Sequence, residues 1–398
     1  MHQAWLFSVD AMLSTLFSFG FRPFFLAVGI YAPLVLILWI AYIAFGLPVP
    51  LPEQAVLWHA HEMLFGVVVA ALAGFILTAI TNWTNAAPLK GRALMALFAL
   101  WLAGRAAVFA VDALPFFLVA TLELSFLPFL GLYVASVLIK AGNRRNLVFL
   151  GIFGGFFVVD ALFLLAMAGY DLGGNWGRPQ VLGLDIVLIL IALVAGRIVP
   201  AFTRNWLQRK GRAIDIPVMT RLDKLAVLSL VLVLAVDMFS LSGPVALAVT
   251  GIAAVLHSIR VCRWQGHRSL SDSLLWVLHL GYVLLVLALW LKHLALWDDA
   301  IPEVAWIHAA GIGAAAVMIL AVMSRAGLGH TGRALAAPSG MGLSYAAIGI
   351  ATLARVSADF GFLDMYQTWL VVAAVGWISG FAIFLLRFGP MLIRPSCR

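Results

Sequence analysis

The chain has 398 residues, of which 64% are hydrophobic and only 11% charged, with a net charge of +8 and a mean hydropathy of +1.07. Soluble proteins carry roughly 25% charged residues, so the composition excludes a water-soluble enzyme or a nucleic-acid-binding domain and specifies a chain built for lipid. Two widely spaced cysteines, Cys262 and Cys397, outside any CxxC or CxxCH pattern, exclude a disulfide framework, a thiolate metal site and covalently attached haem.

Apolar runs recur along the whole chain, which predicts an all-α, polytopic membrane protein forming a single domain over 1–398, with a short amphipathic or interfacial segment at 1–21. The start, His2-Gln3-Ala4-Trp5, lacks the features of a cleavable signal peptide. A span needs about 20 mostly apolar residues, and twelve stretches qualify: 22–46, 57–80, 92–111, 115–139, 146–169, 180–201, 222–241, 243–262, 273–296, 304–326, 341–356 and 366–388. Tight links at Asp112 to Leu114 and at Ser242 predict two antiparallel hairpins. Basic residues follow the even-numbered spans: Lys90 and Arg92, Lys140 with Arg144 and Arg145, the run from Arg204 to Lys224, Arg260 to Arg268, Arg325 and Arg333, and Arg387 to Arg398. Acidic residues fill the odd-numbered links, with Arg178 the exception. The positive-inside rule then places both termini and the even links in the cytoplasm. A basic patch for anionic lipid is a minor consequence of the same charges.

This topology gives each histidine a depth at about 1.5 Å per residue. Trp58-His59-Ala60-His61-Glu62-Met63 opens the second span and His308 opens the tenth, predicting an outer cluster of His59, His61 and His308. His257, His279 and His330 fall near inner helix ends and predict an inner cluster. His59 and Glu62, three apart, share a helix face, whereas His61 points well away from His59. Neutral imidazole is the usual ligand for haem iron and for buried copper. His267, His293 and His2 are assigned ordinary roles. Arg105, Glu123, Asp160, Asp185 and Asp237 are buried charges that mark either structural pairs or a proton route. A structural pair is the reading for Asp237. Arg22 and Arg197 through Arg204 sit at inner helix ends, where arginine forks bind haem propionates or lipid phosphate.

Four motifs carry a family likeness: Phe19-Gly20-Phe21-Arg22-Pro23-Phe24-Phe25, Trp58 to Met63, Gly196 to Arg204, and Met323-Ser324-Arg325 through Gly329-His330-Thr331-Gly332-Arg333. In order and spacing the chain resembles the bacterial NnrS family along nearly its whole length. The resemblance implies a membrane protein containing b-type haem and copper, acting in nitric oxide metabolism or protection from nitrosative stress, in denitrifiers and pathogens. It implies functional roles for His59, His61, Glu62 and His330 and for Arg22, Arg197, Arg204, Arg325 and Arg333. Nitric oxide or a related nitrogen oxide is then the expected ligand, bound and reduced at a His-ligated metal with electrons from an unknown donor, in the manner of a nitric oxide reductase. The outer trio is the expected copper site, with Glu62 as orienter or proton carrier. His257 and His279 are either two ligands of one haem or ligands of separate metals. The competing reading is a secondary transporter of an iron-nitrosyl species, although no internal repeat accompanies it.

Overall fold

The computed structural model describes residues 9–212 and 214–397. A short helix, Val9–Leu16, precedes the long helices, and residues 1–8 of the N-terminal segment lie outside the described residues. Among the described residues, eleven helices are long and apolar enough to cross a bilayer. In chain order these are α1 (Phe21–Ile43), α2 (Ala55–Thr84), α3 (Gly91–Phe109), α4 (Phe116–Lys140), α5 (Arg144–Met167), α6 (Pro179–Arg209), α8 (Pro244–Arg263), α9 (Ser273–Trp297), α10 (Glu303–His330), α11 (Met341–Asp359) and α12 (Tyr366–Ile393). The seventh predicted span is also a helix, α7 (Arg221–Met238). It is more polar than the other eleven because Arg221, Asp223, Lys224 and Asp237 fall within its 18 residues. At about 1.5 Å per residue α7 is roughly 27 Å long, close to the thickness of the hydrocarbon layer.

The predicted hairpins form. Asp112 accepts a hydrogen bond from the Glu53 backbone at 2.8 Å in the α3–α4 link, and α7 and α8 pack side by side. Thr220 and Asp223 start α7 with a reciprocal capping box. The same Asp223 accepts Arg260 Nε at 2.7 Å, so one carboxylate caps α7 and ties it to α8.

α2 and α6 are the central helices, with 83% of the most apolar stretch of each buried, against 33–50% for α1, α3, α4, α5, α8, α11 and α12. Phe117, Leu132 and Leu386 are exposed on the outer helices, as expected of surface that meets lipid tails. Close packing around α6 depends on Gly196, because a Cβ there would overlap the Arg260 guanidinium. Arg260 cannot yield, being held by Asp223, by the Ala192 carbonyl at 3.0 Å and by the Tyr282 hydroxyl at 2.8 Å.

Two helices break regularity where histidines enter. In α2, residues Glu62–Val68 form a π-helix directly after His61. In α10, Ala309–Ala316 do the same directly after His308, and the two π segments touch. π segments cluster at functional sites because the extra residue per turn re-aims neighbouring side chains. α4 is interrupted at Ser125. Pro128 supplies no N–H for the Leu124 carbonyl four residues earlier, and the break sits beside Glu123.

Candidate functional site

The second span separates its two histidines. Two residues at about 100° each turn His61 to the far side of α2 from His59. His61 is fully buried among polar side chains from α1, α3, α4 and α5. Its Nδ1 lies 2.9 Å from Glu62 Oε1 and its Nε2 lies 2.9 Å from Asp160 Oδ1, with Glu123 Oε1 at 3.7 Å. Arg105 donates through Nη1 to both Glu62 oxygens, at 2.9 and 3.0 Å, and through Nη2 to Glu123. The Tyr31 hydroxyl donates to Glu62 Oε2. Gly66 leaves room for the Tyr31 ring and Gly104 for the Glu123 carboxylate, since a Cβ at either position would collide with them. Ligand atoms of His61, Glu123 and Asp160 lie within 4.8 Å of one another, a grouping able to hold a metal ion.

The expected outer trio therefore does not assemble: His61 converges with Glu123 and Asp160, and His59 and His308 do not join that grouping. His59 stacks on Trp39, with ring centroids 4.5 Å apart. Its Nδ1 is buried without a hydrogen-bond partner, and His308 and Arg355 lie within electrostatic reach. His308 is fixed through Nδ1 by Asp359 Oδ2 at 2.8 Å, and Asp359 also pairs with Arg355. Glu62 orients His61, not His59, because the π turn carries its carboxylate toward Arg105.

The expected inner cluster also separates. His257 Nε2 donates to the Ala226 carbonyl at 2.8 Å, so its Nδ1 accepts from the Tyr282 hydroxyl at 2.7 Å. With both nitrogens engaged, His257 serves the Arg260–Tyr282 network and offers no free lone pair. His279 Nε2 lies 2.9 Å from Thr203 Oγ1, and its Nδ1 is buried without a partner against Gly266, where a Cβ would stand 2.6 Å away. His257 and His279 thus do not present a shared pair of axial ligands.

His330 has different surroundings. It lines a cavity of about 360 Å³ between α2, α5, α6 and α10, together with Arg145, Asn146, Arg197, Asn82 and Trp83. Phe19 and Phe21 flank its ring, both at 5.8 Å. Arg197 donates to Asn146 Oδ1 at 2.7 Å, and among the described residues no carboxylate pairs with Arg145 or Arg197. A second cavity of about 70 Å³, walled by apolar side chains from α2, α6 and α10, shares Phe75 and Val194 with the first. The larger cavity thus carries two guanidinium groups, and the smaller one beside it is lined by apolar side chains alone.

The remaining arginines differ from expectation. Arg22 spends its guanidinium on the last turn of α12 and the segment after it, donating to Leu392 O at 2.7 Å, Arg394 O at 2.8 Å and Ser396 Oγ at 3.0 Å, so it pins the end of α12 and is not turned to a cofactor. Arg325 lies over the Phe202 ring at 3.8 Å. Arg333 has a buried Nη1 without a partner, and Arg204 is partly buried. Sequence reasoning missed Tyr31, Asp359, Arg355 and Lys292. Lys292 pairs with Asp185 at 2.6 Å and with Asp237, which gives Asp237 the structural partner expected of it.

A bundle of lipid-length helices enclosing imidazoles, carboxylates and a cationic cavity defines a polytopic membrane protein equipped with metal donors. The chain belongs to the NnrS family: the family model described as NnrS protein matches residues 15–396. No curated protein matches this chain. Membership makes it a nitric oxide-associated membrane protein of a metal-associated family.

Proposed function

We propose that this protein binds nitric oxide, or a related small nitrogen oxide, at a b-type haem carried in the His330 cavity, and reduces it with electrons from a partner. The observation that carries this reading is the convergence on one cavity of His330, whose ring nitrogens have no hydrogen-bond partner among the described residues, with Arg145 and Arg197, which have no acid. The donor chemistry fits the group. A neutral imidazole is an axial ligand for haem iron, and guanidinium forks suit its carboxylates. Haem, when bound, would supply a redox iron with an open position for a diatomic ligand.

The chain's own side chains do the rest. His330 is oriented by Phe19 and Phe21. The apolar walls from Phe75 to Val194 keep water out and admit an uncharged gas. Copper fits His59 and His308: two imidazoles suit it, His59 Nδ1 is free of partners, and Asp359 on His308 Nδ1 leaves Nε2 for a metal. With α7 as a span, the alternation of basic links supports cytoplasmic termini, which puts the His330 cavity at the cytoplasmic end and His59 and His308 at the opposite end.

His330→Ala tests the haem assignment. Purified variant protein is expected to lose haem by pyridine haemochrome assay while His257→Ala, altered in a hydrogen-bond network, retains it. Full haem in His330→Ala would exclude the cavity as the haem site.

A further inference from the structure

The centre around His61 carries more negative charge than its own side chains balance. Glu62, Glu123 and Asp160 are 0–4% exposed, and Arg105 is the one cation that reaches them among the described residues. Arg105 offsets one carboxylate, leaving two negative charges beside a neutral imidazole. An unmatched buried charge costs several kcal/mol, so two positive charges must enter: two protons or one divalent cation.

The geometry favours the cation. Glu62 accepts from Arg105 and Tyr31 and is thereby set as the acceptor for His61 Nδ1–H. Without an ion, His61 Nε2 has to donate to Asp160 Oδ1 at 2.9 Å as part of an imidazolium, which adds one positive charge and still leaves one carboxylate unbalanced; with an ion present the same nitrogen is free to ligate it. Glu123 Oε2 is buried without a hydrogen-bond partner. A cavity of about 10 Å³, near the size of a single small sphere, adjoins Glu123 and Asp160 between Arg105 and the apolar walls of Phe65, Val69, Trp101 and Phe126, and His61 does not line it.

We infer that His61 Nε2, Glu123 and Asp160 ligate one divalent first-row cation of the Fe²⁺, Mn²⁺ or Zn²⁺ class. Two carboxylates and one imidazole form a hard to borderline donor set, unlike the thioether or thiolate sets that select Cu(I). The ion's two charges cancel those of Glu123 and Asp160, while Arg105 cancels Glu62. Glu62 becomes the carboxylate behind the ligating histidine, fixing its tautomer and ring orientation, with Tyr31 and Arg105 fixing Glu62 in turn. The Gly104 contact lets Glu123 reach the ion from α4. This site goes beyond the haem reading, because none of its donors lines the His330 cavity.

The test uses full-length protein in detergent, stripped with a chelator and equilibrated with Mn²⁺, with bound ion counted by mass spectrometry and by the free Mn²⁺ resonance signal. The wild type is expected to hold about one Mn²⁺ per chain, and His61→Ala and Asp160→Asn to lose it. Glu62→Gln, which keeps the shape of the centre, is expected to bind roughly 10–100-fold more weakly. Haem content measured on the same samples stays unchanged, so failure of this inference and of the haem reading are separable. Three results would overturn it: no Mn²⁺, Fe²⁺ or Zn²⁺ bound by the wild type, equal binding by His61→Ala, or an infrared band of protonated carboxyl in wild-type protein that Glu123→Gln or Asp160→Asn removes, which would assign the two charges to protons.

Discussion

Replacing Arg105 by methionine is expected to destabilise the protein by about 3–5 kcal/mol, the range for breaking a buried ion pair from one side. Arg105 is 4% exposed and makes the ion pairs to both Glu62 and Glu123. Methionine fills much of the volume but leaves those two carboxylates facing each other in a medium without water. The effect belongs to the stranded acids more than to the lost arginine, which yields a second expectation. Arg105→Met combined with Glu62→Gln removes one stranded charge and should recover a large part of the loss. Thermal unfolding in detergent, followed by circular dichroism, measures both. If Arg105→Met unfolds at the wild-type temperature, the carboxylates are not ionised and the charge reading of the centre is wrong.

Lys292→Met should cost a similar amount, again about 3–5 kcal/mol. Lys292 is 4% exposed, sits 4.0 Å from the centroid of the Trp306 ring and links α9 to Asp185 on α6 and to Asp237 on α7. Its loss leaves two acids without a cation and unties α7, whose charges already make it the weakest lipid span. Asp185→Asn in the same chain is expected to restore part of the stability, and limited proteolysis near the α6–α7 link should accelerate in Lys292→Met alone. A single variant as stable as the double one would show that the cluster does not hold α7.

The lipid architecture was legible because it is written in composition and length. The twelve apolar stretches each became a helix, and the short segment predicted at 341–356 extends to Met341–Asp359. The divergence of His59 and His61 was legible too, since two residues of helix fix it. What the sequence could not reveal is which partner lies across the gap. Asp160 meets His61 from 99 positions away, and Asp185 meets Lys292 from 107. Depth alone placed His59, His61 and His308 in one layer, but helix faces sent His61 to the carboxylates. Depth likewise grouped His257 with His330, although one is tied into hydrogen bonds and the other lines a cavity. Arg22 read as a cofactor fork because its partners are backbone carbonyls near the far end of the chain, which carry no residue-type signal.

Titration of the dithionite-reduced protein with nitric oxide, followed by optical spectroscopy, tests the function most directly. A haem band that shifts on addition of the gas and saturates with the haem, and that is missing in His330→Ala, is the predicted result. Wild-type protein with no haem band, or with one that nitric oxide leaves unmoved, would contradict it.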